Sequence, residues 1–122
     1  MKKLILYFFL IIFSTIILLS CSINNKNSMT GIYLRSTNGS NIIIGDDNCP
    51  TTMGNETGNE EIFDDLKSGD KIEITYDLIY ETYPSRTQIY SSKLIERGSI
   101  DDIPKDVLDK LQEMEWNFDL SN

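Results

Sequence analysis

Apolar positions along the chain fall into distinct patterns, and each pattern predicts a different element. Residues 4–19 carry no charge and are dominated by Leu, Ile and Phe, directly after Lys2 and Lys3. A positive start followed by an apolar stretch of this kind predicts an export signal over residues 1–20. Residues 22–28, SINNKNS, are polar and aperiodic and predict, with Cys21, a flexible tether over 21–28. Two runs follow, Ile32-Tyr33-Leu34 and Ile42-Ile43-Ile44, separated by Thr37-Asn38-Gly39-Ser40. β-Branched and aromatic runs on either side of Asn-Gly predict a hairpin. In that turn Asn38 tolerates the left-handed conformation and Gly39 has no Cβ to clash.

Residues 45–59, GDDNCPTTMGNETGN, show no apolar period and read as a long loop. Ile72, Ile74, Tyr76 and Leu78 then alternate with Lys71, Glu73, Thr75 and Asp77, which predicts a strand over 71–78 with one face buried and one wet. A break at Thr82-Tyr83-Pro84-Ser85 leads into a strand over 88–96, whose alternation slips around Ser91 and Ser92 as at a bulge. From Pro104 the period becomes helical. Val107, Leu108, Leu111 and Met114 share one stripe, with Lys105, Asp109, Lys110 and Gln112 facing away, so an amphipathic helix is expected over 104–117. Its stripe is expected to dock on a sheet formed by the strands at Ile32, Ile42, Ile72 and Ile89. Pro104 suits the first helical turn, Asp106 and Lys110 form an i, i+4 pair, and Trp116 and Phe118 are assigned to packing between helix and sheet.

Taken together, these elements describe a mainly β domain over 29–122 with one C-terminal amphipathic helix, behind an N-terminal signal or anchor helix. Length agrees with this: 122 residues less the 20 of the leader leave 102, enough for one core and not for two.

The leader ends in Leu18-Leu19-Ser20-Cys21, which resembles the lipobox of bacterial lipoproteins. That resemblance implies diacylglycerol transfer to the Cys21 thiol, cleavage between Ser20 and Cys21, and acylation of the new amino group. A small side chain at Ser20 admits the backbone to a peptidase, and only a thiol supplies the nucleophile for the lipid. The expected location is the extracytoplasmic face of the cell membrane, with the diacylglyceryl anchor as the membrane contact. Two acyl chains, at about 0.8 kcal/mol per buried methylene, hold a protein stably. The competing reading is an uncleaved transmembrane helix, since the apolar run is close to spanning length.

Charge narrows the partners. The chain carries −8, and loss of Lys2 and Lys3 leaves 9 basic against 19 acidic side chains, or −10. Nucleic-acid binding is excluded on this balance, because Lys and Arg must replace the counterions of a phosphate backbone. With Cys21 lipidated, Cys49 has no intrachain disulfide partner; it reads as a tolerated small residue, with an intermolecular bridge or a reactive thiol as alternatives.

The segment Leu66-Lys67-Ser68-Gly69-Asp70-Lys71-Ile72-Glu73-Ile74, followed by Glu81-Thr82-Tyr83-Pro84-Ser85-Arg86, resembles a set of small Gram-positive lipoproteins and secreted proteins, the YobA-like set. In that set a Gly-started strand is followed by a turn of the type Glu-Ser-Tyr-Pro-Ala-Gln and a last strand. Thr82, Ser85 and Arg86 depart from that turn. The resemblance implies no established activity. It implies a small OB-type antiparallel β-barrel, where the strand pattern alone yields a set of hairpins or a meander.

The chain contains no histidine, which removes Ser-His, Cys-His and His-ligated metal chemistry. Asp46, Asp47, Glu56, Glu60, Glu61, Asp64 and Asp65 crowd the long loop and could in principle hold a divalent cation through oxygen ligands. The reading preferred is a solvated acidic surface, with no metal, no cofactor and no catalytic residue assigned. The expected function is therefore a membrane-anchored, non-catalytic binding or interaction module. An inhibitor or immunity-type partner of an envelope protein is the alternative, its charge steering it to a basic target. A carboxylate-based hydrolase is the third reading and needs two carboxylates facing each other across a cleft.

Overall fold

The computed structural model describes residues 26–120, together with Lys3, Ile5 and Tyr7. Apart from those three residues, the export signal over 1–20, its cleavage point at Ser20 and the lipid attachment at Cys21 lie outside the described residues. Five strands, β1 (Asn27–Arg35), β2 (Asn41–Gly45), β3 (Pro50–Asn55), β4 (Lys71–Tyr80) and β5 (Ser85–Glu96), precede one helix, α1 (Lys105–Glu113). The strands close into a barrel in the order β1-β2-β3-β5-β4, with β4 returning to β1. Among the described pairings, that of β3 with β5 is parallel and the others are antiparallel. This is a five-stranded Greek-key barrel of the OB type.

The β1–β2 hairpin forms as its turn chemistry predicts, with a difference in detail. Gly39 takes φ +92° while Asn38 does not leave the negative-φ region. The Gly39 amide donates to the Ser36 carbonyl (3.1 Å), and the Ser36 amide to the Ser40 carbonyl (2.9 Å). The glycine is therefore the left-handed residue after an ordinary turn, a bulged three-residue loop.

Both runs in this hairpin are apolar throughout because both faces are covered. Tyr33 and Ile43 point into the barrel, where they meet Met53, Phe63, Leu66, Ile72, Ile74 and Ile89. Leu34, Ile42 and Ile44 point outward and pack under Ile103, Val107 and Leu111. Two hydrophobic cores thus share one two-stranded wall. The strand residues beneath the helix come from β1 and β2; Ile72 and Ile89, expected there, lie inside the barrel instead.

Several expectations are corrected. The tether read over 21–28 ends earlier, because Asn27 and Ser28 already pair with Tyr76 and Thr75 through backbone ladder bonds that need no apolar side chain. The long loop over 45–59 contains β3, whose Pro50 opens the strand where its missing N–H is harmless. β3 is held by β2 on one side and β5 on the other. Its residues PTTMGN carry no periodic signal, and pairing on two sides makes up for weak propensity.

The helix runs over Lys105–Glu113 rather than 104–117, with Pro104 as its N-cap. It stops at Glu115, whose φ is +72°. The Trp116 amide donates back to the Leu111 carbonyl (3.0 Å) and the Glu115 amide to the Gln112 carbonyl (3.1 Å), the double bond of a Schellman end. Beyond it the chain extends, and Phe118 bridges to Ser36. Met114, expected on the buried stripe, is 43% exposed because it is the C-cap and the stripe has ended. Trp116 and Phe118 stack with centroids 6.4 Å apart and pack against the outer core, as assigned.

β4 and β5 lose step at three places. Thr75 pairs with Ser91 and Tyr76 with Ile89, which leaves Tyr90 as the extra residue, one position from the expected slip. Lys71 pairs with Glu96 and Ile72 with Leu94, so Ile95 is extra as well, and Asp77 with Leu78 fills a third offset. Each irregularity turns an apolar side chain outward. Leu78, placed on the buried face by alternation, is 66% exposed.

Because Leu111 is fully buried in the outer core, Leu111→Ala is expected to destabilise the domain by about 2 to 5 kcal/mol, the range for a buried leucine deletion. Urea titration of the wild-type and variant domains, each begun at Ser22, measures it. An unchanged midpoint would mean that the helix does not stabilise the barrel.

Candidate functional site

The barrel has two ends of different character. At one end lie the entry of β1, the β2–β3 turn and the β4–β5 turn. At the other lie the β1–β2 turn, the connection over 56–70 and the exit of β5. This second end carries a cleft of about 580 Å³, lined by Arg35, Ser36, Thr37, Leu66, Lys67, Ser68, Ile100 and Asp119.

Its floor is built by the segment 60–70. Successive tight turns, with the Ile62 amide donating to Asn59, Asp64 to Glu61 and Leu66 to Phe63, drop Phe63 and Leu66 into the barrel mouth. Phe63 stacks on Tyr33, centroids 6.0 Å apart. The turn that follows is locked by Asp70, whose side chain is 1% exposed. One carboxylate oxygen of Asp70 accepts from the Lys67 amide (2.9 Å) and from the Arg97 guanidinium (2.8 Å), and the other accepts from the Gly98 amide (3.1 Å). Gly69 sits at φ +105°, and a Cβ there would lie 2.0 Å from the Ser99 carbonyl oxygen. Only glycine allows this turn to pack against the end of β5.

Arg35 forms the wall. It follows Tyr33 by two residues on β1 and so points to the same, inner side. Its Nε donates to the Tyr33 hydroxyl (2.9 Å), one terminal nitrogen donates to the Phe63 carbonyl, and its backbone amide donates to Ser68 Oγ (3.0 Å). The Tyr33 hydroxyl in turn donates to Asn41 Oδ1. Burial raises the Tyr33 hydroxyl above its ordinary pKa of 10.0, and the adjacent Arg35 opposes that rise without cancelling it. The tail closes the site: the Thr37 amide donates to the Asn117 carbonyl (2.9 Å), which brings Asp119 to the cleft.

The acidic residues singled out from sequence are divided by the fold. Asp46 and Asp47 lie in the β2–β3 turn at the entry end, whereas Glu56, Glu60, Glu61, Asp64 and Asp65 follow β3 at the cleft end. Among the described residues no three Asp, Glu, Cys or His side chains converge as metal ligands. Cys49 is exposed in the entry-end turn. The Asp47 carboxylate, whose Oδ1 accepts from the Cys49 amide (3.1 Å), holds the thiol above its ordinary range, with slight burial adding to the effect and Lys110 opposing it. That placement suppresses thiolate character.

A second surface lies on the outer side of β4 and β5. Leu78, Tyr80 and Tyr90 are 66%, 60% and 38% exposed and, with Asp77 and Gln88, line a hollow of about 130 Å³. Lys26, the residue before β1, lies over the Tyr90 ring, 3.1 Å from its centroid.

The fold and cleft together define a small OB-type barrel with a cleft at one end. No protein-family model matches the chain, and the search of curated proteins finds no match. Among solved structures, the crystal structure of a YobA protein from Bacillus subtilis subsp. subtilis str. 168 is similar. It is 21% identical, with a TM-score of 0.45, and the alignment covers 57% of this chain and 95% of that one.

Sequence reasoning did not single out Arg35, Ser36, Thr37 or the role of Asp70. Lys67, Ser68 and Asp70 stood within the segment that carries the family resemblance, but no spacing links them to Arg35, 33 residues away from Ser68.

The raised Tyr33 hydroxyl sets an alkaline limit. Its stabilising contribution is fully present below the unfolded pKa near 10.0 and is lost as pH rises through the higher folded value. Urea midpoints followed from pH 8 to 11 should fall more steeply in wild type than in Tyr33→Phe. That variant is also expected to be weaker by about 1 to 2 kcal/mol near neutrality, through the hydrogen bonds lost at Arg35 and Asn41. Parallel profiles would show that Tyr33 is not the group responsible.

Proposed function

We propose that this chain is a bacterial lipoprotein of the YobA-like set, anchored through a diacylglyceryl group on Cys21 at the extracytoplasmic face of the cell membrane, whose barrel is a non-catalytic binding module. The observation that carries this reading is the position of the 580 Å³ cleft. β1 enters the barrel at Asn27, six residues after Cys21, and delivers Arg35 to the cleft at its far end. At about 3.3 Å per residue the strand separates the two by roughly 26 Å. A lipid at Cys21 therefore tethers one end of the barrel while the cleft opens at the other.

The lining favours holding over transforming. Arg35, Lys67 and the residues Ser36, Thr37 and Ser68 stand in it beside apolar Leu66 and Ile100, with the single carboxylate of Asp119. Glycoside hydrolysis needs a facing pair of carboxylates, so the hydrolase reading has no support in this lining. Among the described residues no helix is long and apolar enough to cross a membrane, and the anchor rests on the Leu18-Leu19-Ser20-Cys21 motif. Metabolic labelling with a fatty-acid probe should mark wild type and leave Cys21→Ala unmarked. Labelling that survives the substitution would end the lipoprotein reading.

A second reading, an inhibitor or immunity-type partner of a basic envelope protein, is favoured by one observation. Leu78, Tyr80 and Tyr90 present an exposed aromatic and aliphatic face, with acidic Asp77 and Glu81 beside it in sequence. Buried aromatic anchors with a charged rim are the usual composition of a protein interface. Pull-downs against basic envelope proteins at low and high salt should show capture that weakens with salt and is abolished by Tyr80→Ser. Capture indifferent to Tyr80 and Leu78 would discard this surface as the interface.

A further inference from the structure

We infer that the end cleft is a site for the anionic group, carboxylate or phosphate, of a small ligand, with Arg35 and Lys67 as the residues that hold the charge. This deepens the binding-module reading and rests on it.

The first support is charge segregation. The chain has 11 basic against 19 acidic side chains, yet this cleft gathers two basic side chains with one carboxylate. Glu60, Glu61, Asp64 and Asp65 stand at the same end of the barrel but outside this lining, so the preference for an anion is set at short range by the two cations.

The second support is preorganisation of the guanidinium. Arg35 is fixed through its Nε to the Tyr33 hydroxyl and through one terminal nitrogen to the Phe63 carbonyl. Tyr33 is itself immobilised: its ring is buried against Phe63 and its hydroxyl is bonded to Asn41. A guanidinium has five N–H donors, and these two bonds leave three. A planar donor fork held in place at the wall of a cleft binds an oxyanion without the entropy loss of ordering a free arginine.

The third support is a shorter donor beside the guanidinium. Ser68, from the turn locked by Asp70, lines the same hollow, and its hydroxyl accepts from the Arg35 amide, which leaves its proton for a ligand; the Ser36 and Thr37 hydroxyls donate to Asn38 Oδ1 and to the Asn117 carbonyl. A hydroxyl beside a guanidinium adds to oxyanion coordination, while Leu66 and Ile100 supply an apolar floor for the body of the ligand.

The test uses the full chain, isotope-labelled in detergent micelles, titrated separately with inorganic phosphate, with succinate, with sodium chloride at matched ionic strength, and with glucose as a neutral polyol. Phosphate or succinate should shift the amide resonances of Ser36, Thr37, Lys67 and Ser68 saturably in the millimolar range, and the arm that saturates first identifies the preferred anionic group. Chloride should not reproduce the shifts.

Arg35→Gln should weaken the interaction by roughly tenfold or more, given the strength of a charge-assisted bond. Because Arg35 also braces Tyr33 and Phe63, Lys67→Gln provides the second variant. The Lys67 side chain is exposed, and the hydrogen bonds recorded for this residue are made by its backbone, so the fold is kept. It should weaken binding severalfold with an unchanged thermal midpoint.

Unchanged affinity in Lys67→Gln, or shifts that chloride reproduces, would overturn the assignment. Saturable shifts with glucose and none with either anion would overturn the anion preference while leaving a binding cleft. Silence in every arm would remove both the anion site and the cleft as the seat of binding. Binding retained by Cys21→Ala would show that the cleft works independently of the anchor.

Discussion

A single buried carboxylate organises the functional end of this barrel. Asp70 accepts from the Lys67 and Gly98 amides and from Arg97, so the turn before β4 and the chain leaving β5 are tied to one side chain. The backbone of the same turn is tied to β1, with the Tyr33 amide donating to the Asp70 carbonyl and the Gly69 amide to the Tyr33 carbonyl, both at 2.8 Å. Two inner strands, the barrel mouth and the floor of the cleft therefore depend on one group. Arg97 is 54% exposed, so its charge remains solvated and the ion pair is the lesser part of the arrangement. The two backbone amides matter more, because a buried amide without an acceptor costs about 1 to 3 kcal/mol.

That lock also explains why the cleft is open. Gly69 and Gly98 bring two backbones into a contact that no side chain could share: a Cβ on Gly98 would lie 2.1 Å from the Gly69 carbonyl oxygen. With the chain turned so tightly on one side of the barrel mouth, Ser68 is brought against the Arg35 backbone and Lys67 lines the same hollow. Phe63 and Leu66 pack into the barrel core below it.

The two surfaces that could meet a partner have different physical origins. The cleft arises where loops converge on a rigid barrel end, the usual place for binding groups. The Leu78, Tyr80 and Tyr90 face lies along a hairpin whose strands have lost register, and the bulges, not the loops, bring apolar groups into water. They lie toward opposite ends of the barrel. An anchor at the entry end would leave the cleft facing outward and the aromatic face near the tether, where Lys26 already contacts Tyr90.

Local chemistry in the sequence determined much of the architecture. The hairpin around Gly39, the alternating start of β4, the slip near Ser91, the helical stripe of Val107 and Leu111 and the glycine turn beside Asp70 are all local patterns, readable wherever propensity and burial agree. Tertiary structure decided the rest. β3 exists because two neighbours pair with it. Leu78 and Met114 are exposed because a bulge and a helix end intervene. The acidic residues are parted because β3 runs between them, and Glu115 is left-handed because the tail must turn back to Ser36. The cleft belongs wholly to this second class. Arg35 and Ser68 are neighbours only because barrel closure brings β1 beside the turn before β4, and a contact across that much chain leaves no spacing in the sequence for a motif to record.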